Sequence, residues 1–143
     1  MANTLEVARQ WFEQVWNQGS EEAISRLMAA DARFHGLPTP DGAPIVGPEA
    51  FKPFFRRFRQ AFPDIRIEVQ HSVVEGEMVA LHCRVTGSHR GESLGIAASG
   101  NALDIDGMAM ARIRDGQIQE AWNCFDFLKL YGQVGLVQMP SLR

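Results

Sequence analysis

The chain has 143 residues, 45% of them hydrophobic and 22% charged, and carries a net charge of −3. That length and balance suit one folded domain with its own core and exclude a disordered chain. The negative charge speaks against general affinity for nucleic acid or an anionic membrane, and no apolar run approaches the ~20 residues of a bilayer span.

Leu5, Ala8, Phe12 and Val15 recur at helical spacing, with Trp11 and Trp16 widening the stripe, and this first helix stops near Asn17-Gln18-Gly19. Ser20 is placed to cap a short helix carrying Ile24, Leu27 and Met28. Ala32 to His35 reads as a short strand, followed by a proline-rich loop up to Gly47. Pro48 suits a first helical position, and Phe51, Phe54, Phe55, Phe58 and Phe62 then line one helix face. Pro53 interrupts that face, so it should kink the helix or mark its true start. Lys52, Arg56 and Arg59 form a basic stripe opposite the phenylalanines, expected to be solvated.

The remainder reads as strand. Ile65, Ile67, Val69 and Val73 alternate with polar residues, which puts His71 on the apolar side as a core residue. Glu75-Gly76 turns the chain into Met78 to Thr86, and a Gly- and Ser-rich stretch leads to a third strand, Leu103 to Arg114. Asp115-Gly116 is a strong hairpin signal before Gln117 to Phe125, and a short helical tail follows Asp126. These elements predict an α+β fold over residues 1–143: helices packed on a strongly curved antiparallel sheet, enclosing a pocket. The first residues lack the basic-then-apolar order of a secretory signal, so a cytoplasmic location is expected, with Cys83 and Cys124 as buried thiols.

Four stretches resemble the polyketide-cyclase-like (SnoaL-like) branch of the nuclear-transport-factor-2-like superfamily. They are Gly47-Pro48-Glu49 with the Phe-rich helix ending Ala61-Phe62-Pro63-Asp64; Thr86 to Gly91; Ala98-Ser99-Gly100-Asn101; and Asp115 to Trp122 followed by Asp126 and Gln133-Val134-Gly135. The resemblance implies a cone-shaped fold, frequent homodimers, and no metal or organic cofactor.

In the cyclases this branch resembles, an acid at the position of Asp126 removes a proton beside a carbonyl and starts an intramolecular aldol closure. Apolar walls would have to raise its pKa, and the competing reading is that Asp126 caps the tail helix. Arg84 and His82 share the polar face of the second long strand with Ala80 and Thr86, and Arg84 there could steady an enolate. The superfamily's epoxide hydrolases carry Arg-x-Asp at this place, whereas this chain has Arg84-Val85-Thr86. His35 lies where relatives carry a polar residue reaching the pocket, beside Phe34, although the neighbouring residues differ from the family form. Strand parity assigns Trp122, Met108 and Met110 to the apolar wall. No His-x-His or His-Glu-x-x-His spacing occurs, so no metal site is expected. Gly91-Glu92-Ser93-Leu94-Gly95 matches a nucleophile elbow in letters but lacks the strand before it and the helix after it.

The expected function is a cofactor-independent cyclase or isomerase acting by general base catalysis on a small hydrophobic carbonyl compound. Asp126, Arg84 and His35 would be catalytic, and Trp122, Met108, Met110, His82 and Phe34 would contact substrate. The alternative is a non-catalytic binding or dimerising module on the same cone, which a pocket plugged by Phe or Trp would favour. A homodimer through the sheet is expected, across a face carrying Gln119, Ala121, Asn123 and Phe125.

Overall fold

The computed structural model describes residues 3–140. Helix α1 (Thr4–Gln10) is capped by the Asn3 side chain, which accepts from the Glu6 amide, and runs on into a π-helical stretch, Trp11–Asn17. The i→i+5 hydrogen bonding of a π-helix leaves Trp11 and Trp16 a little over one turn apart, on the same side of the helix. Trp11, Phe12, Val15 and Trp16 are all buried. Helix α2 (Glu21–Leu27) is capped as expected, Ser20 Oγ accepting from the Ala23 amide at 3.1 Å. Strands β1 (Met28–His35) and β2 (Ile45–Val46) precede helix α3 (Pro48–Ala61). Then come β3 (Arg66–Glu75), β4 (Met78–Ser88), β5 (Ala102–Arg114), β6 (Gln117–Phe125) and helix α4 (Phe127–Gln133).

The six strands form one open sheet in the order β2-β1-β6-β5-β4-β3. It is mixed rather than antiparallel throughout, because β1 and β6 run parallel. Tight turns force the β3–β4 and β5–β6 pairs to be antiparallel, whereas β1 and β6 are joined through most of the chain and no turn dictates their direction. The β5–β6 turn has the left-handed residues a two-residue hairpin needs, Asp115 at φ 55° and Gly116 at φ 73°. At the β3 edge, Asn17 stands in for a missing strand: Ile67 N–H donates to its Oδ1 at 2.6 Å, and its Nδ2 donates to Ile67 O at 3.0 Å. An edge closed in this way offers less backbone to other chains.

Helix α3 is continuous through Pro53, and buries Phe51, Phe55 and Phe58 against the rest of the core. Its basic stripe is docked rather than free. Arg56 donates twice to Glu21, and Arg59 donates to Trp16 O at 3.1 Å, closing the open end of the π-helix.

Two bulges decide which side chains face the helices. In β3, Val69 is opposite Cys83 and His71 opposite His82, so Gln70 is the extra residue. The bulge turns His71 out of the core to an exposed position on the outer face. In β6, Ile118 is opposite Ile113 and Glu120 opposite Arg112, so Gln119 is extra. Beyond it Ala121, Asn123 and Phe125 face the helices, and Glu120, Trp122 and Cys124 face away. That is the reverse of the parity expected from simple alternation. It also separates the cysteines: both are free thiols, Cys83 buried and Cys124 exposed. Burial pushes the Cys83 thiol up to about 12.

Candidate functional site

Between the helices and the inner face of the sheet lies a cavity of about 70 Å³. Nine of its lining residues are aromatic: Trp11, Phe12 and Trp16 from the first helix, Phe34 from β1, Phe51, Phe54 and Phe58 from α3, and Phe125 and Phe127 around the end of β6. The rings brace one another, with Trp11 5.3 Å from Phe34 and 5.1 Å from Phe51, and Phe54 4.9 Å from Phe58 (centroid to centroid). Edge-to-face and tilted contacts of this kind hold their geometry beyond what burial alone provides.

Asn123 is the one polar residue in the lining. Its Nδ2 donates to the His35 carbonyl at 3.0 Å, which leaves Oδ1 and a second amide hydrogen without a side-chain or backbone partner among the described residues. Two glycines make this corner possible. A Cβ on Gly36 (φ 81°) would lie 2.0 Å from the Asn123 carbonyl oxygen, so only glycine lets β1 turn away there. On β5, Gly107 faces Phe125 and leaves room for its ring to lie flat over the strand.

Phe34 lies in the cavity wall. Asp126 sits between two lining residues, Phe125 and Phe127, but its carboxylate is exposed and accepts from the Lys129 amide at 3.1 Å as the cap of α4. The other expected site residues are gathered on the outer face of the sheet, outside the wall of this cavity. Arg84 grips Asp104 through two hydrogen bonds, at 3.0 and 2.6 Å. Val85, one residue on, lines the cavity, and alternation therefore sends Arg84 away from it. His82 on the same parity meets His71 instead. Met108 and Met110 are exposed.

His35 stacks on Trp122 with ring centroids 5.7 Å apart, and its Nε2 lies 2.6 Å from Glu120 Oε2. Arg112 stands 5.7 Å from the Trp122 ring and donates to Glu120 at 3.3 Å. The His35 hydrogen bond, helped by Arg112, holds the Glu120 carboxyl below the usual carboxylate range. Trp122, Met108 and Met110 are thus corrected from cavity wall to outer face. The Gln119 bulge displaced Trp122, while Met108 and Met110 alternate with the inward Ala109 and Ala111.

The π-helical aromatics and Phe127 line the cavity without having been singled out from sequence, and Asn123 and Phe125 line it although strand parity puts them on the outer, dimer-forming face. The helical stripe of Trp11, Phe12 and Trp16 did mark core, although nothing distinguished core from cavity wall. For Asn123 and Phe125 the missing signal was the bulge at Gln119.

A family model of the SnoaL-like polyketide cyclases matches residues 6–134. No curated protein matches the chain in sequence. Among solved structures, IdmH from Streptomyces antibioticus, provisionally named a polyketide cyclase, superposes with a TM-score of 0.80 at 28% identity, over 94% of this chain and 99% of that one. A protein of Jannaschia sp. CCS1, provisionally named a SnoaL-like polyketide cyclase, gives 0.80 at 24% identity, over 96% of this chain and 93% of the other. AclR of Streptomyces galilaeus, provisionally named a hydroxylase, gives 0.79 at 22% identity, over 97% and 87%. The last two likenesses are of fold alone. With the family match spanning most of its length, the chain belongs to the SnoaL-like polyketide cyclase family and has its nuclear-transport-factor-2-like α+β fold.

Proposed function

We propose that the chain takes up a small apolar carbonyl compound in the aromatic cavity and holds it without chemistry. One observation carries this reading: none of the residues lining the cavity is titratable, and Asn123 is its single polar side chain. A carbonyl oxygen placed near Asn123 could accept the free Nδ2 hydrogen, and every other contact would be apolar. At about 70 Å³ the cavity is roughly half the ~150 Å³ of an apolar cavity that takes benzene. Ring-sized ligands therefore enter only as Phe54, Phe58 or Phe127 turns aside. Native mass spectrometry of gently purified protein tests this. A retained apolar molecule that is lost in Phe58→Trp supports it; a ligand retained equally in that variant counts against the cavity.

Cyclase or isomerase chemistry is the second reading, favoured by the place of Asp126 between Phe125 and Phe127 in a family named for polyketide cyclases. There Asp126 would turn inward as general base once a ligand displaces Phe127. Asp126→Asn separates the readings. As a cap, Asn serves nearly as well as Asp, whereas as a base its loss lowers turnover of a carbonyl substrate by about 10²-fold or more.

The chain is further proposed to pair with a second copy through the outer face of its sheet. Val73, Ala80, Met110 and Trp122 line up across four strands, with Val73 and Met110 exposed. On one side of this band comes the row of His71, His82 and Met108 and beyond it Arg84 with Asp104, and on the other side Arg112 with Glu120. A two-fold partner would cover the apolar band and set unlike charges against each other.

A further inference from the structure

On the outer face two imidazoles meet that sequence spacing does not connect. His71 on β3 and His82 on β4 are directly opposite, with rings 13° from parallel and Nδ1 atoms 3.1 Å apart. The Gln70 bulge creates the pair, since without it His71 would point into the core. Between two neutral imidazoles at this distance one Nδ1 carries the hydrogen and the other presents a lone pair. Asp106 lies behind His82, its Oδ1 3.9 Å from His82 Nε2. A carboxylate on that side favours the Nε2–H tautomer and leaves His82 Nδ1 as the lone-pair donor.

We infer that His71 and His82 form a two-imidazole chelate for a divalent transition-metal ion of the copper, nickel and zinc group. Metal–imidazole bonds of ~2.0–2.1 Å place two bound nitrogens roughly 2.9 Å apart at a right angle and roughly 3.3 Å apart at the tetrahedral angle. The observed 3.1 Å falls between these, so the two nitrogens already stand at chelating distance, although they face each other nearly head-on across the shared hydrogen. His71 moves its proton from Nδ1 to Nε2, and a turn of each ring by roughly 35–45° aims both Nδ1 lone pairs at one point.

The charge around the pair fits a cation. Arg84 is engaged by Asp104, which leaves the Asp106 carboxylate as the net charge facing His82. Among the described residues no three His, Cys, Asp or Glu side chains are grouped to hold a metal. The remaining coordination positions are therefore filled from outside the chain, by water or, where a second copy pairs over this face, by that copy, and Cu²⁺ should bind more tightly than Ni²⁺ or Zn²⁺.

Calorimetric titration of the EDTA-treated full chain with Cu²⁺, and separately with Zn²⁺, tests the site. One tight ion per chain is expected, weakened about 30-fold or more in His71→Ala and in His82→Ala. Asp106→Asn should weaken it about 10-fold through loss of the orienting carboxylate, and His35→Ala should leave it unchanged. Electron paramagnetic resonance of the Cu²⁺ form should show two coordinated nitrogens in the parent and one in either alanine variant. All the substituted positions lie on the outer face, and thermal melts matching the parent establish that each variant is folded. Parent-like affinity in either alanine variant, or a parent chain that binds no tighter than His71→Ala, overturns the inference.

Discussion

The Phe125 ring lies over Gly107, its opposite residue on β5, so closely that a methyl group on Gly107 would sit 2.1 Å from ring carbon Cδ2. The glycine is what lets an aromatic floor fit beneath the cavity. Gly107→Ala should push the ring into the cavity and destabilise the fold by about 1–3 kcal/mol, the usual range for overpacking. Urea melts read the stability, and uptake of a small apolar ligand should fall with it.

Phe58 is buried in α3 and also forms part of the cavity wall. Phe58→Ala should cost about 3–5 kcal/mol, through lost burial and a larger void. Arg57, its exposed neighbour, should tolerate alanine within about 0.5 kcal/mol. In the same melts, equal losses at the two positions would show that the helix face is misassigned.

Asp64 supplies a pH test. Partial burial works against its ionisation, but the Ser88 amide at 2.8 Å and hydroxyl at 2.9 Å outweigh it and hold the carboxyl below its ordinary 3.8. A carboxyl lowered by folding adds stability above its unfolded pKa and loses it as pH falls through the folded value. Asp64→Asn should therefore be less stable than the parent at pH 7, with the gap closing below about pH 4. Chemical melts at both pH values read the difference, and a gap that stays constant would contradict the assignment.

The exposed Met110 lies at the centre of the band proposed to meet a second copy. Light scattering at micromolar concentration should give a dimer mass for the parent and a monomer mass for Met110→Lys, because an unpaired buried ammonium is costly. A monomeric parent would contradict pairing through this face.

Much of the fold was legible from local rules. The Ser20 cap, Pro48 at the start of α3, the phenylalanine face and the Asp115-Gly116 turn each follow from short-range chemistry, and each stands where expected. The site was less legible, for two physical reasons. A period of two carries no information about an extra residue, and the single insertions at Gln70 and Gln119 exchanged the faces of everything beyond them. His71, Trp122, Asn123 and Phe125 were misplaced for that reason alone. The parallel pairing of β1 with β6 joins residues roughly ninety positions apart, as between His35 and Trp122, and no local pattern encodes it. Asp126 illustrates the other limit. One residue type suits both a helix cap and a base, and only the Lys129 amide shows which role it fills in this conformation.

The central claim is that the aromatic cavity takes up a small apolar carbonyl compound. Of the three tryptophans, Trp11 and Trp16 line the cavity and Trp122 lies outside it. In a Trp122→Phe background, fluorescence reports the cavity alone. Titration with acetophenone, whose carbonyl quenches indole, should give a saturable loss of signal. Adding Phe58→Trp or Gly107→Ala, which fill the space, should reduce it to a weak linear response. A linear response from the start, or a saturable one unchanged by filling the cavity, would contradict the account.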